Sequence, residues 1–118
     1  MTNGLKTVDA HEAAQLKESG AILVDIREAH EYARGHIAGS VNVALSGWAE
    51  ADLQTATGKP IVFLCAGGTR TTMNAGPIAA KAGGAEAYVL NGGLAAWKSA
   101  GLPMEGAGGG FLSGLFGR

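Results

Sequence analysis

The chain has 118 residues, a mass of 11.8 kDa, a formal net charge of −1 and a pI near 6.3, which suits one domain with a single modest core. Nine Lys and Arg against ten Asp and Glu leave no basic footprint for nucleic acid or anionic lipid. One cysteine excludes a disulfide scaffold and a cysteine-cluster metal site, and the longest stretch without Asp, Glu, Lys or Arg, Gly35 to Ala49, falls short of the roughly 20 apolar residues of a membrane span. Glycine (20) and alanine (22) supply much of the chain. The glycines cluster at 67–68, 83–84, 92–93 and 108–110 between apolar runs, as turns and backbone-lined sites do.

The first eighteen residues, MTNGLKTVDAHEAAQLKE, lack the apolar run of a secretory signal, and a cytoplasmic location is expected. Asp9 and Glu12 have capping-box spacing, so a helix is expected from Ala10 to Ser19, ending at Gly20. Ala21 to Val24 and Pro60 to Leu64 read as strands. They are apolar without alternation, as strands buried on both faces of a parallel sheet are. Val41 to Val43 and Ala87 to Leu90 are weaker strand signals. A helix from about Thr71 to Ala82 carries Pro77 as a kink or break, and a third runs from Gly93 to Ala100 before Gly101-Leu102-Pro103. There is no internal repeat. Alternating strands and helices imply an open α/β sheet with helices on both faces. Sites in such sheets form beyond the carboxyl ends of strands, which singles out the loop after Val24 (Asp25 to Tyr32) and the loop after Leu64 (Cys65 to Arg70).

Cys65 opens its loop directly after a buried strand and is followed by Ala66, Gly67, Gly68, Thr69 and Arg70. Glycines let successive N–H groups turn inward as an anion-binding nest, and Arg70 adds a cation at the mouth of the following helix. These features favour a thiolate nucleophile and would hold an anionic substrate over it. Cys65 and Arg70 enclose four residues, whereas cysteine phosphatases place five between nucleophile and arginine. The tighter loop favours a compact sulfur donor such as thiosulfate over a phosphoryl group.

The loop is one of four segments, in order, that resemble the single-domain rhodaneses. The others are Asp25-Ile-Arg27-Glu-Ala-His-Glu31-Tyr32, Gly35-His36-Ile37-Ala-Gly39-Ser40-Val41-Asn42, and Asn91-Gly-Gly93 with Trp97, Gly101 and Pro103. Together they span about residues 7 to 103. The resemblance implies a rhodanese-like, mainly parallel five-stranded sheet with helices on both faces, residues 1–105 forming the domain. It also implies thiosulfate sulfurtransferase activity through a persulfide on Cys65, surrounded by the amides of Ala66 to Arg70. Sulfur would pass from thiosulfate or a similar donor to a thiol or cyanide acceptor, with no cofactor. The alternative is a sulfur-carrier or interaction module that receives persulfide sulfur from a protein donor and passes it to a partner.

Other residues have plainer expected roles. Asp25 should bond neighbouring backbone, and Arg27 should pair with Glu31 or Glu28 to hold the loop. His36 is expected to be structural, His11 and His30 solvated, and Trp48 and Trp97 to pack helices on the sheet. Three scattered histidines and one cysteine make no zinc site. Gly92-Gly93 lacks a nucleotide-loop pattern. Residues 106–118, GAGGGFLSGLFGR, form a Gly-rich tail with four large apolar side chains. The tail is expected either to fray or to dock on a partner, a membrane surface or its own domain.

Overall fold

Residues 5–53 and 58–106 are described by the computed structural model. In chain order they form β1 (Leu5–Val8), α1 (Ala10–Glu18), β2 (Ile22–Asp25), α2 (Ala29–Arg34), β3 (His36–Ile37), β4 (Val41–Asn42), a 3-10 segment (Leu45–Glu50), β5 (Ile61–Leu64), α3 (Thr69–Met73), α4 (Ala75–Ala82), β6 (Ala87–Leu90), α5 (Gly93–Ser99) and β7 (Met104–Glu105). Five strands make one sheet in the order β1-β6-β5-β2-β4, each pairing parallel. The expected five-stranded α/β sheet is present.

Strand β5 shows why its run is uninterrupted. Val62 and Leu64 face a core shared with Ala13 of α1 and with Leu94 and Trp97 of α5. Ile61, Phe63 and Cys65 face the other core, with Trp48 and Ile78 of α4. A strand covered on both sides needs apolar residues at every position. The alternation then carries Cys65 onto the Trp48 and Ile78 side, at the strand's carboxyl end.

The capping box on α1 forms as its spacing predicts: Glu12 N–H donates to Asp9 and Asp9 N–H to Glu12, both at 2.8 Å. The helix expected over Thr71 to Ala82 is two helices, α3 and α4, and the break lies at Asn74 rather than Pro77. Asn74 N–H and Nδ2 both donate to Arg70 O, at 3.1 and 2.8 Å. Pro77 stands in the first turn of α4, where a missing N–H costs nothing.

Five elements were not expected: β1, α2, the 3-10 segment, β3 and β7. The last two form a separate antiparallel pair, His36 opposite Glu105 and Ile37 opposite Met104. Gly106 still packs on Gly35, since a Cβ there would lie 2.6 Å from Gly35 Cα. The apolar residues of the tail, Phe111 to Phe116, lie outside the described residues.

Candidate active site

In the strand order, the chain leaves β2 toward β4 on one side and leaves β5 toward β6 on the other. Connections that diverge in this way open a crevice between the two strands at their carboxyl ends. Asp25 lies opposite Leu64 in the parallel register, and Ile26 N–H donates to Leu64 O at 2.9 Å. The two loops singled out in the sequence therefore meet side by side.

Cys65 is 1 % exposed. Gly68 N–H donates to its Sγ at 3.1 Å, and Thr71 Oγ1 stands 3.8 Å from the same sulfur. Gly68 adopts φ +102, a left-handed turn that suits glycine. The loop's carbonyls are held from behind: Leu94 N–H donates to Cys65 O at 2.8 Å and Ala95 N–H to Ala66 O at 3.0 Å. In a trans peptide the next residue's N–H points opposite to the carbonyl. With the carbonyls of Cys65 and Ala66 drawn into α5, the amides of Ala66 and Gly67 must face the other way. This is the physical basis of an inward-facing nest.

Arg70 forks onto Glu31, with its two terminal nitrogens 2.8 and 3.0 Å from the two carboxylate oxygens. The pair holds the Glu31 carboxyl down at about 2, through the Arg70 bond first and the Glu28 N–H second. Arg70 is raised above its ordinary value, chiefly by Glu31, with Cys65 and Asp25 adding to the effect. The expected partner of Arg27 is thus corrected. Glu31 lies with Arg70, while Arg27 bonds Asp25 through Nε and a terminal nitrogen at 2.9 to 3.1 Å. It also donates to Gly35 O at 2.8 Å. The reason is burial: Asp25 is fully buried at the end of β2, and a buried carboxylate two residues away is the stronger claim on a buried guanidinium. Asp25 also accepts from Arg27 N–H at 3.0 Å, the backbone bond expected of it.

This cysteine loop, framed by an Asp-x-Arg strand end, agrees with the family comparison. The model of the rhodanese-like domain matches residues 9–100. The chain belongs to the rhodanese-like family. Among curated relatives it is 33% identical over 103 residues to the thiosulfate sulfurtransferase GlpE of Pseudomonas paraeruginosa, covering 84% of this chain and 89% of that protein. It is 31% identical over 108 residues to the uncharacterized protein YibN of Escherichia coli, covering 88% and 75%. A solved thiosulfate sulfurtransferase of Pseudomonas aeruginosa matches with a TM-score of 0.76 at 27% identity, covering 88% of this chain and 20% of that one.

Around the Cys65 loop, this rhodanese-like domain uses residues whose roles were not foreseen. Gly93 (φ +56) lies so close to the loop that a Cβ would stand 2.3 Å from Cys65 O. The Gly92-Gly93 pair is therefore a close-approach hinge for α5. Thr71, wholly buried, donates to Gly68 O at 2.9 Å and so fixes the turn that aims Gly68 N–H at the sulfur. Asn42 Nδ2 donates to Asp25 O and Arg27 O, at 2.9 and 2.8 Å. His36 stacks on Tyr32 with 3.8 Å between ring centroids and bonds Tyr32 O through Nδ1, a structural role as expected. Trp48 and Trp97 are buried in the two cores, and His11 and His30 are exposed. A cleft of about 360 Å³ borders Gly67, Gly68 and Thr69 together with Thr7, Asn91 and Gly92. Cys65 and Arg70 are not among its lining residues, so it lies beside Cys65 rather than over it.

Proposed function

We propose that this protein is a cytoplasmic sulfurtransferase that moves sulfane sulfur from thiosulfate, or a similar small anionic donor, to a thiol or cyanide through a persulfide on Cys65. The observation that carries the reading is the Gly68 N–H on Sγ, in a loop whose carbonyls are turned away into α5. That N–H stands where negative charge on an attacking or departing sulfur has to be held. The similarity to proteins named thiosulfate sulfurtransferase supports the same donor.

In the first step the Cys65 thiolate attacks the outer sulfur of thiosulfate. The Sγ–S bond forms, the donor's S–S bond breaks, and sulfite leaves with its electron pair. In the second step an acceptor thiolate or cyanide attacks the outer sulfur of the persulfide, and Cys65 leaves as thiolate. Electrons balance without a redox partner, and no general base is needed when the nucleophile starts ionised. Amides of Ala66, Gly67, Gly68, Thr69 and Arg70 would cradle the anion and then the persulfide. Asp25 and Arg27 support the neighbouring loop from below.

Intact mass after thiosulfate treatment should show one added sulfur atom, removable by a thiol reductant. Cys65→Ser should abolish both the adduct and turnover while preserving the thermal melt, because the change is nearly isosteric and a hydroxyl forms no persulfide. Appreciable turnover in that variant would sink the assignment. Turnover with a persulfidated protein but none with thiosulfate would favour the carrier reading instead.

A further inference from the structure

We infer that Glu31 tunes donor selectivity: by cancelling the charge of Arg70 at the mouth of the Cys65 loop, it weakens the hold on dianionic donors such as thiosulfate relative to neutral or singly charged sulfane-sulfur donors such as persulfides. The substrate class rests on the reading of Cys65 as a sulfur-accepting nucleophile; the charge cancellation does not.

A free arginine beside a nest of amides would make a strong trap for a dianion. Here both terminal nitrogens of Arg70 are already committed to one carboxylate. That carboxylate is fixed from its own side as well. Glu31 Oε1 accepts from Glu28 N–H at 2.9 Å, closing the cap of α2, and Glu28 in turn accepts from Ser46 N–H at 3.2 Å. Glu31 is thus pre-positioned by its own helix. At neutral pH it is fully charged, since its carboxyl titrates near 2. The second guanidinium of the site, Arg27, is equally spent on Asp25 and Gly35 O. Each fork, Asp25 with Arg27 and Glu31 with Arg70, is therefore a neutral pair. An incoming anion gains the amides of the loop but no net cationic field, whereas a neutral donor is not penalised.

The test uses two alkylating reagents of nearly equal size and mechanism, the anion iodoacetate and the neutral iodoacetamide. The ratio of their rates at Cys65 reads the field at the mouth without requiring sulfur transfer. Gln in place of Glu31 keeps a carbonyl oxygen for Glu28 N–H, so the helix cap survives while the charge is lost. At low ionic strength the ratio of iodoacetate to iodoacetamide should rise about three- to tenfold in Glu31→Gln, and the gain should shrink in high salt. It should fall by a similar factor in Arg70→Gln and return near the wild-type value in the double variant. An unchanged ratio in a folded Glu31→Gln protein, or a double variant that keeps the raised ratio, overturns the inference. Where alkylation is too slow to give a ratio, the KM for thiosulfate decides: it should fall in Glu31→Gln with kcat less affected, and a rise overturns the inference. Failure of the mass adduct with thiosulfate would instead strike the proposed activity and leave the alkylation result standing.

Discussion

Two arginine–carboxylate forks flank the Cys65 loop, built alike and placed in different surroundings. The side chains of Asp25 and Arg27 are 0% and 7% exposed; those of Glu31 and Arg70 are 28% and 35% exposed. The inner fork is closed by backbone on both sides, through Arg27 N–H and Gly35 O. It cannot be opened without leaving a charge in the interior. The outer fork lies where water screens it, so its weight in stability is small. Its weight in the local field, beside the sulfur, is not. Burial decides which fork braces the fold and which one tunes the chemistry.

The sharpest way to break this contrast is to cut the inner fork. Asp25→Ala leaves Arg27 buried without its carboxylate and strips an acceptor from Arg27 N–H. Breaking a buried pair from one side costs about 3–5 kcal/mol, which for a domain of this size lowers Tm by on the order of 15 °C or more. Differential scanning calorimetry should show that loss; a shift of only a few degrees would mean that Arg27 finds water. A second cut removes the inner anchoring from the α5 side. In Gly93→Ala the new methyl group meets Cys65 O at 2.3 Å and occupies a left-handed backbone position. The strain is about 1–3 kcal/mol. Because relief requires the loop to move, sulfur transfer should drop by roughly 10²-fold. A variant with normal turnover would show that α5 can retreat without disturbing the nest.

Much of this arrangement is legible in the sequence, and the exceptions share a cause. Strands β2 and β5 are readable because two-sided burial writes an unbroken apolar run, and Cys65 is readable because it follows one of them directly. Strand β1 writes only Leu-Lys-Thr-Val, with Lys6 and Thr7 exposed, since an edge strand has little to bury. Helix α2 has six residues and buries none of them, so no apolar period marks it. Strands β3 and β7 are two residues each and exist only because distant segments meet. The Glu31–Arg70 fork joins residues 39 apart. Sequence proximity offered Arg27 as the partner of Glu31, and only the register of β2 on β5 shows that Arg70 lies nearer. Gly92-Gly93 is visible as a glycine cluster, but its close approach is not, because that requirement is set by the carbonyl of Cys65 pressing against Gly93.

The outer fork gives the smallest effect and the one with a definite pH signature. Replacing Glu31 by Gln keeps the cap of α2 and removes one exposed charge pair, a change worth about 0.2–1 kcal/mol at neutral pH. The Glu31 carboxyl is held near 2 in the folded protein against an ordinary value of 4.5. A carboxyl lowered by folding contributes stability that is complete above its unfolded value and is lost as pH falls through its folded one. The advantage of wild type over Glu31→Gln should therefore be constant above about pH 5. It should narrow between 4.5 and 2, where the wild-type carboxyl takes up its proton and comes to resemble the amide. Urea titrations of both proteins at neutral pH and near pH 3 measure this difference, with the acid sensitivity of every other group cancelling between them. A gap at pH 3 as wide as at neutral pH, or wider, would mean that the carboxyl is held by something other than the charge of Arg70.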